Sequence, residues 1–190
     1  MASEVDICNR ALQKLGAKRI VSLSEDSTNA RACNAAYDLL RDFELELHPW
    51  LFAIQRATLA ADSEEPEWGR ANAFQLPSDC LRILPPYPED NLNDLDWQIE
   101  GRKLLTDETA PLYLRYIARI EDPNAMAPSF REALACRIAL ELAEQLTQSN
   151  TKKEGLREDY KATILAARKN NAIQSIPAKS PDDPWITGRS

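Results

Sequence analysis

The feature that most constrains the fold is a change of hydrophobic period along the chain. Apolar residues recur at three- and four-residue spacing near both ends, whereas the middle carries short runs broken by Pro, Gly, Asn and Asp. Helices are therefore expected at the ends and strands between them. The first helix is read from about Glu4 to Leu15, with Ser3 and Asp6 spaced as a capping box, Gly16 placed to end it, and Ile7, Ala11, Leu12 and Leu15 as its stripe. The second is read from about Asn29 to Leu47. There Cys33, Ala36, Tyr37, Leu40, Phe43 and Leu47 form the stripe, Arg41, Asp42 and Glu46 fall off it, and Pro49 follows. Residues Trp50 to Ala61 are dense in apolar side chains but only loosely periodic, which fits either a helical extension or a strand.

The acidic stretch Asp62 to Glu67 with Pro66 reads as a solvated loop. Beyond it Phe74 to Leu76, Leu81 to Leu84, Trp97 to Glu100, Lys103 to Thr106 and Leu112 to Ile120 read as strands, with Gly101 supplying a hairpin turn. Helical spacing returns with Phe130, Leu134, Ile138, Leu142 and Leu146 behind a Ser129 and Glu132 capping box. A fourth helix follows Thr151 and Glu154, with Leu156, Tyr160, Ile164 and Ala167 inward and Lys161, Arg168 and Lys169 toward its C-terminal end. The sequence thus predicts an α+β protein, mainly α: a four-helix bundle formed by residues 1–61 and 123–170, a small antiparallel β insertion at 62–122 between helices 2 and 3, and an extended C-terminal arm at 171–190. Pro177, Pro181 and Pro184 disfavour helix in the arm, and its apolar groups Ile176, Trp185 and Ile186 are the candidate contact residues for a partner.

Charge and motif content narrow the function. With 190 residues the chain can bury a core without disulfide or metal staples. Cys8, Cys33, Cys80 and Cys136 are widely spaced, form no CxxC pair, and read as reduced core residues. A formal charge of −7 opposes any mode of DNA binding that neutralises phosphates. The lone histidine, His48, has no histidine partner for a metal site or a relay, and its place between Leu47 and Pro49 suggests a helix-terminal role, on the last carbonyls or against Trp50. No phosphate loop, GxSxG or HExxH occurs. The acid pairs Glu64-Glu65, Glu89-Asp90 and Asp182-Asp183 lie beside prolines and read as surface charge rather than as a general acid and base. Trp50, Trp68 and Trp97 read as core or interface aromatics, because base stacking needs a cationic groove. No cofactor, metal or catalytic residue is expected, no apolar run is long enough to span a membrane, and nothing at the N-terminus reads as a signal peptide, so a cytosolic site of synthesis is expected.

Five pieces in order resemble a family. They are Ile7-Cys8-Asn9-Arg10-Ala11-Leu12 with Leu15-Gly16 and Ile20-Val21-Ser22-Leu23; Ala30 to Cys33 with Tyr37 and Arg41; His48-Pro49-Trp50 with Phe52-Ala53 and Arg56; Leu76-Pro77-Ser78-Asp79-Cys80-Leu81-Arg82; and Arg115-Tyr116-Ile117 before Asp122-Pro123. Together, across roughly residues 4–146, they resemble the tail tubular protein A-like head-to-tail adaptors of short-tailed bacteriophages. The resemblance implies a structural protein of the virion's head–tail interface that sits below the portal protein in a dodecameric ring. It also implies that this ring extends the DNA channel without binding DNA specifically and presents a surface to the tail nozzle or tail tube protein. A phage-encoded module that captures another protein is the competing expectation.

Overall fold

The computed structural model describes residues 1–84 and 96–175. Within them the chain is mixed α+β, with four helices and two three-stranded antiparallel sheets.

Helix α1, Glu4–Leu15, begins where the sequence places it. The Asp6 amide donates to Ser3 Oγ and the Ser3 amide to the Asp6 carboxylate, closing the capping box. Gly16 ends the helix at φ 72°, a left-handed conformation that side chains with a Cβ adopt poorly. Helix α2, Thr28–Leu47, starts on Ser27, whose hydroxyl accepts from the Ala30 amide. Between them Asn9 is buried and clasps the backbone of Ile20 at two points, with Nδ2 donating to its carbonyl at 2.9 Å and Oδ1 accepting from its amide at 2.8 Å.

The buried face of α2 is rotated from the one the apolar residues suggest. Cys33, Tyr37 and Leu40 are buried as expected, but Phe43 and Leu47 are exposed, while Arg41 and Glu44 are 4% and 1% exposed. Arg41 belongs to that face because its guanidinium is satisfied there, by Asp38 at 2.8 Å and Asp42 at 2.9 Å, and Asp42 in turn accepts from Arg119 after the last strand.

After α2, a 3-10 turn over Leu51–Ala53 leads into β1, Ile54–Leu59, so this segment is a strand on the N-terminal side of the acidic loop. The remaining strands are β2 Asn72–Gln75, β3 Cys80–Ile83, β4 Trp97–Glu100, β5 Lys103–Thr106 and β6 Leu112–Ala118. They form sheets of order β1-β6-β3 and β2-β5-β4, and Gly101 makes the β4–β5 turn at φ 59°. Strand β6 serves two cores through its period of two. Leu112, Leu114 and Tyr116 pack with Leu59, Phe74 and Leu104, whereas Ile117 joins the helical core with Trp50, Phe130 and Leu134.

Helix α3, Pro128–Thr147, packs against α1, α2 and α4. It does not start on the expected Ser129 and Glu132 box. Pro128 occupies the first turn after Ala127, and Glu132 is instead recruited by Arg10 at 3.0 Å and Lys14 at 2.8 Å of α1. Helix α4, Asn150–Ile173, is likewise capped two residues earlier than Thr151, by Ser149, whose hydroxyl accepts from the Lys152 amide. It also runs past residue 170, so residues 171–173 are helical rather than part of an extended arm, and no basic residue falls in its last turn. All four cysteines are free and buried. Among the described residues no helix is long and apolar enough to cross a membrane.

Candidate functional site

Ile176, Trp185 and Ile186 lie outside the described residues, as do Glu89-Asp90 and Asp182-Asp183. The end of α4, which precedes the first of them, is held at a defined point. Asn171, in the last turn of α4, uses its entire side-chain amide to hold the α2–β1 connection. Its Oδ1 accepts from the Leu51 amide at 2.8 Å, and its Nδ2 donates to the Pro49 carbonyl and to His48 Nε2, each at 3.2 Å.

An amide nitrogen only donates, so His48 Nε2 must receive, and the ring is neutral. Burial, aided by Arg168 and Arg82, lowers the His48 pKa and keeps it so. The imidazole meets Trp50 edge-on at 4.7 Å, which realises the packing alternative read for this histidine. Trp50 is buried, donates from Nε1 to the Glu44 carbonyl at 2.9 Å, and stands 4.9 Å from Phe130, itself 5.2 Å from Phe52.

Beside this cluster lies the residue that sequence reasoning missed. Glu44 Oε1 accepts from the Tyr160 hydroxyl at 2.6 Å and lies 3.6 Å from Arg137 Nε. Its Oε2 is buried without a hydrogen bond, and Arg168 Nε is in the same condition. Burial raises the Glu44 pKa, while Tyr160, Arg137 and Arg168 oppose the rise. The signal was present in the phase of the helix: extending Ala30, Cys33, Tyr37 and Leu40 by four reaches Glu44 and then His48. Among the described residues Glu44 is the one buried carboxylate, so no acid–base pair forms around it. Nor, among them, do three or more His, Cys, Asp or Glu side chains converge as metal ligands would.

The aromatic residues separate. Trp50 is core, Trp97 half-buried, and Trp68 is 85% exposed on the loop between β1 and β2. Trp68 borders a groove of about 440 Å³ whose lining includes Glu64, Glu65, Glu67 and Glu100. The cations there are engaged, Arg70 with Asp96 and Asp107, and Lys103 with Asp62 at 2.7 Å, so the groove presents net negative charge beside an open indole. Glu64 and Glu65 are the exposed carboxylates the sequence suggests.

No protein-family profile matches the chain, and a search of curated proteins gives no match.

Proposed function

We propose that this chain is a head-to-tail adaptor of a short-tailed bacteriophage. In this reading it is a non-enzymatic protein of the virion that forms a dodecameric ring below the portal, extends the DNA channel, and offers the next surface to the tail nozzle or tail tube. The four helices act as a bundle from which the β unit and the C-terminal arm project, and Ile176, Trp185 and Ile186 contact the portal.

The observation that carries the reading is the ordered set of five sequence pieces. Support comes from where those pieces fall, since their polar residues work as joints. Asn9 clasps Ile20, Trp50 donates to the end of α2, Tyr116 donates to Asp79 at 3.2 Å, and Asp122 accepts from the Asn124 amide at 2.9 Å. Such residues fix a shape, as a structural adaptor requires. The charge agrees, because twelve copies at −7 each carry −84, and an acidic channel lets DNA slide where a basic one would grip it.

Native mass spectrometry of the chain mixed with its cognate portal tests this. A portal peak shifted by twelve adaptor masses is expected; an unshifted peak, with both partners folded, removes the assignment. One observation favours the second reading, a protein-binding module: exposed Trp68 beside the acidic groove is the kind of anchor that captures a basic partner surface. Under that reading Trp68→Ala abolishes capture of the partner, whereas under the adaptor reading it leaves portal binding intact.

A further inference from the structure

The end of α1 and the loop after it form a positive place on a negative protein. A groove of about 480 Å³ lies there, and its lining includes Asp6, Arg10, Gln13, Gly16 and Arg19. Lys18 and Arg19 are exposed, and among the described residues their side chains make no hydrogen bond or ion pair. Lys152 adds a third cation at the rim, its Nζ 3.7 Å from where a Cβ on Gly16 would stand. The acids nearby already have partners: Asp6 has Ser3, Glu25 has the Val21 amide, and Glu132 has Arg10 and Lys14. Val21, just past these cations, is 89% exposed.

The loop between β1 and β2 has the opposite character. Glu64, Glu65 and Glu67 are exposed there and make no ion pair among the described residues, and Trp68 stands beside them. Met1 apart, Val21 and Trp68 are the most exposed large apolar side chains among the described residues, so each charged loop carries an apolar tip. Apolar groups at the centre with opposite charges around them are what a specific contact needs. An indole is also held well by guanidinium groups, and Arg10 and Arg19 line the groove. Within one chain the two places do not meet, since among the described residues no hydrogen bond or ion pair joins residues 64–68 to residues 6–21. A second copy of the chain supplies the matching surface for each.

We propose that the groove at the end of α1 is the docking surface for the Glu64–Trp68 loop of a second copy, with Trp68 entering between Arg10 and Arg19 and the glutamates facing Lys18, Arg19 and Lys152. The contact joins two different patches, so each copy gives one loop and receives one, and a head-to-tail array of this kind closes into a ring. The inference deepens the ring of the proposed function and rests on that reading for its biological setting.

The test is sedimentation velocity of the full chain alone, over a concentration series at low and high salt. The natural chain is expected to associate, and less so as salt rises. Lys18→Glu with Arg19→Glu, and separately Glu64→Lys with Glu65→Lys and Glu67→Lys, should each sediment as monomer. Mixed one to one they should associate again, because natural loop meets natural groove and reversed loop meets reversed groove. Both variants stay net negative, so general attraction does not account for that recovery. Trp68→Ala should weaken association at every salt concentration, and it guards against misfolding of the charge variants; since the contact joins copies to one another, it leaves portal attachment as it is. A natural chain that stays monomeric throughout, charge variants that associate as the natural chain does, or a mixture that stays monomeric overturns the proposal. Association that follows this pattern beside an unshifted portal peak ends the adaptor reading and keeps the contact.

Discussion

The Tyr160 hydroxyl donates to Glu44 Oε1 at 2.6 Å, joining α4 to α2 across 116 residues of sequence. This bond is the main satisfaction that a buried carboxylate receives, because its second oxygen has none. Tyr160→Phe would leave Oε1 facing Arg137 alone, at 3.6 Å, and should cost about 1–3 kcal/mol as the penalty of an unpaired buried acceptor. Urea unfolding with an unchanged m-value would report it.

Glu44 also fixes the sign of a pH effect. Burial raises its folded pKa above the ordinary 4.5. The folded state is therefore favoured fully below that unfolded value, and the advantage is lost as pH rises through the raised folded value. Glu44→Gln, neutral at every pH and still able to accept from Tyr160, should gain stability relative to the natural chain as pH increases above 4.5. Thermal midpoints of the two proteins that run parallel from about pH 4 to pH 8 would refute this assignment.

At the interface of α1 and α3 the sign reverses. Arg10, followed by Lys14, holds the Glu132 carboxyl below its ordinary range. Its contribution is present above the unfolded value near 4.5 and is lost as pH falls through the lowered folded value. Glu132→Gln should therefore match the natural chain in acid and fall behind it at neutral pH, with the gap narrowing in high salt because the pair is partly exposed.

The loop between α1 and α2 depends on one amide. Asn9→Ala removes both hydrogen bonds to Ile20 and leaves a buried backbone donor and acceptor without partners, at a cost of about 2 kcal/mol. Asn9→Asp keeps the acceptor and should lie between the two. Gly16→Ala should cost about 1 kcal/mol through its left-handed backbone alone, since an added Cβ meets only Lys152 Nζ at 3.7 Å.

Toward nucleic acid the expectation is a null result. With a net charge of −7, duplex DNA should not bind at physiological salt. Micromolar affinity with a steep salt slope in an anisotropy titration would contradict it.

Local signals carried most of the fold. The Ser3–Asp6 box, Gly16, the Gly101 turn and the runs Trp97–Glu100 and Lys103–Thr106 depend on neighbours within a few residues, so the sequence makes them legible. Reading fails where a distant partner decides. Glu132 has the spacing of a cap but is taken by Arg10, more than a hundred residues away, and Pro128 starts α3 instead. Phe43 and Leu47 look like core only while Glu44 is assumed to face water, and that assumption breaks when Tyr160 and Arg137 supply its partners. The strand at Ile54–Leu59 lacks a clear period in the sequence because its conformation is set by pairing with the distant Leu112–Ala118. The Asn171 clamp had no sequence signature at all, since an asparagine near a helix end has many ordinary uses.

That clamp has a mechanical meaning. Tension applied to the chain beyond Ser175 reaches Asn171 before any apolar contact of the core, and there it divides among three hydrogen bonds anchored at residues 48, 49 and 51. Those stations lie on the short connection whose Trp50 is wedged against Phe130. A pull transmitted through Ser175 is thus carried across to the Trp50–Phe130 contact, bypassing the length of α4.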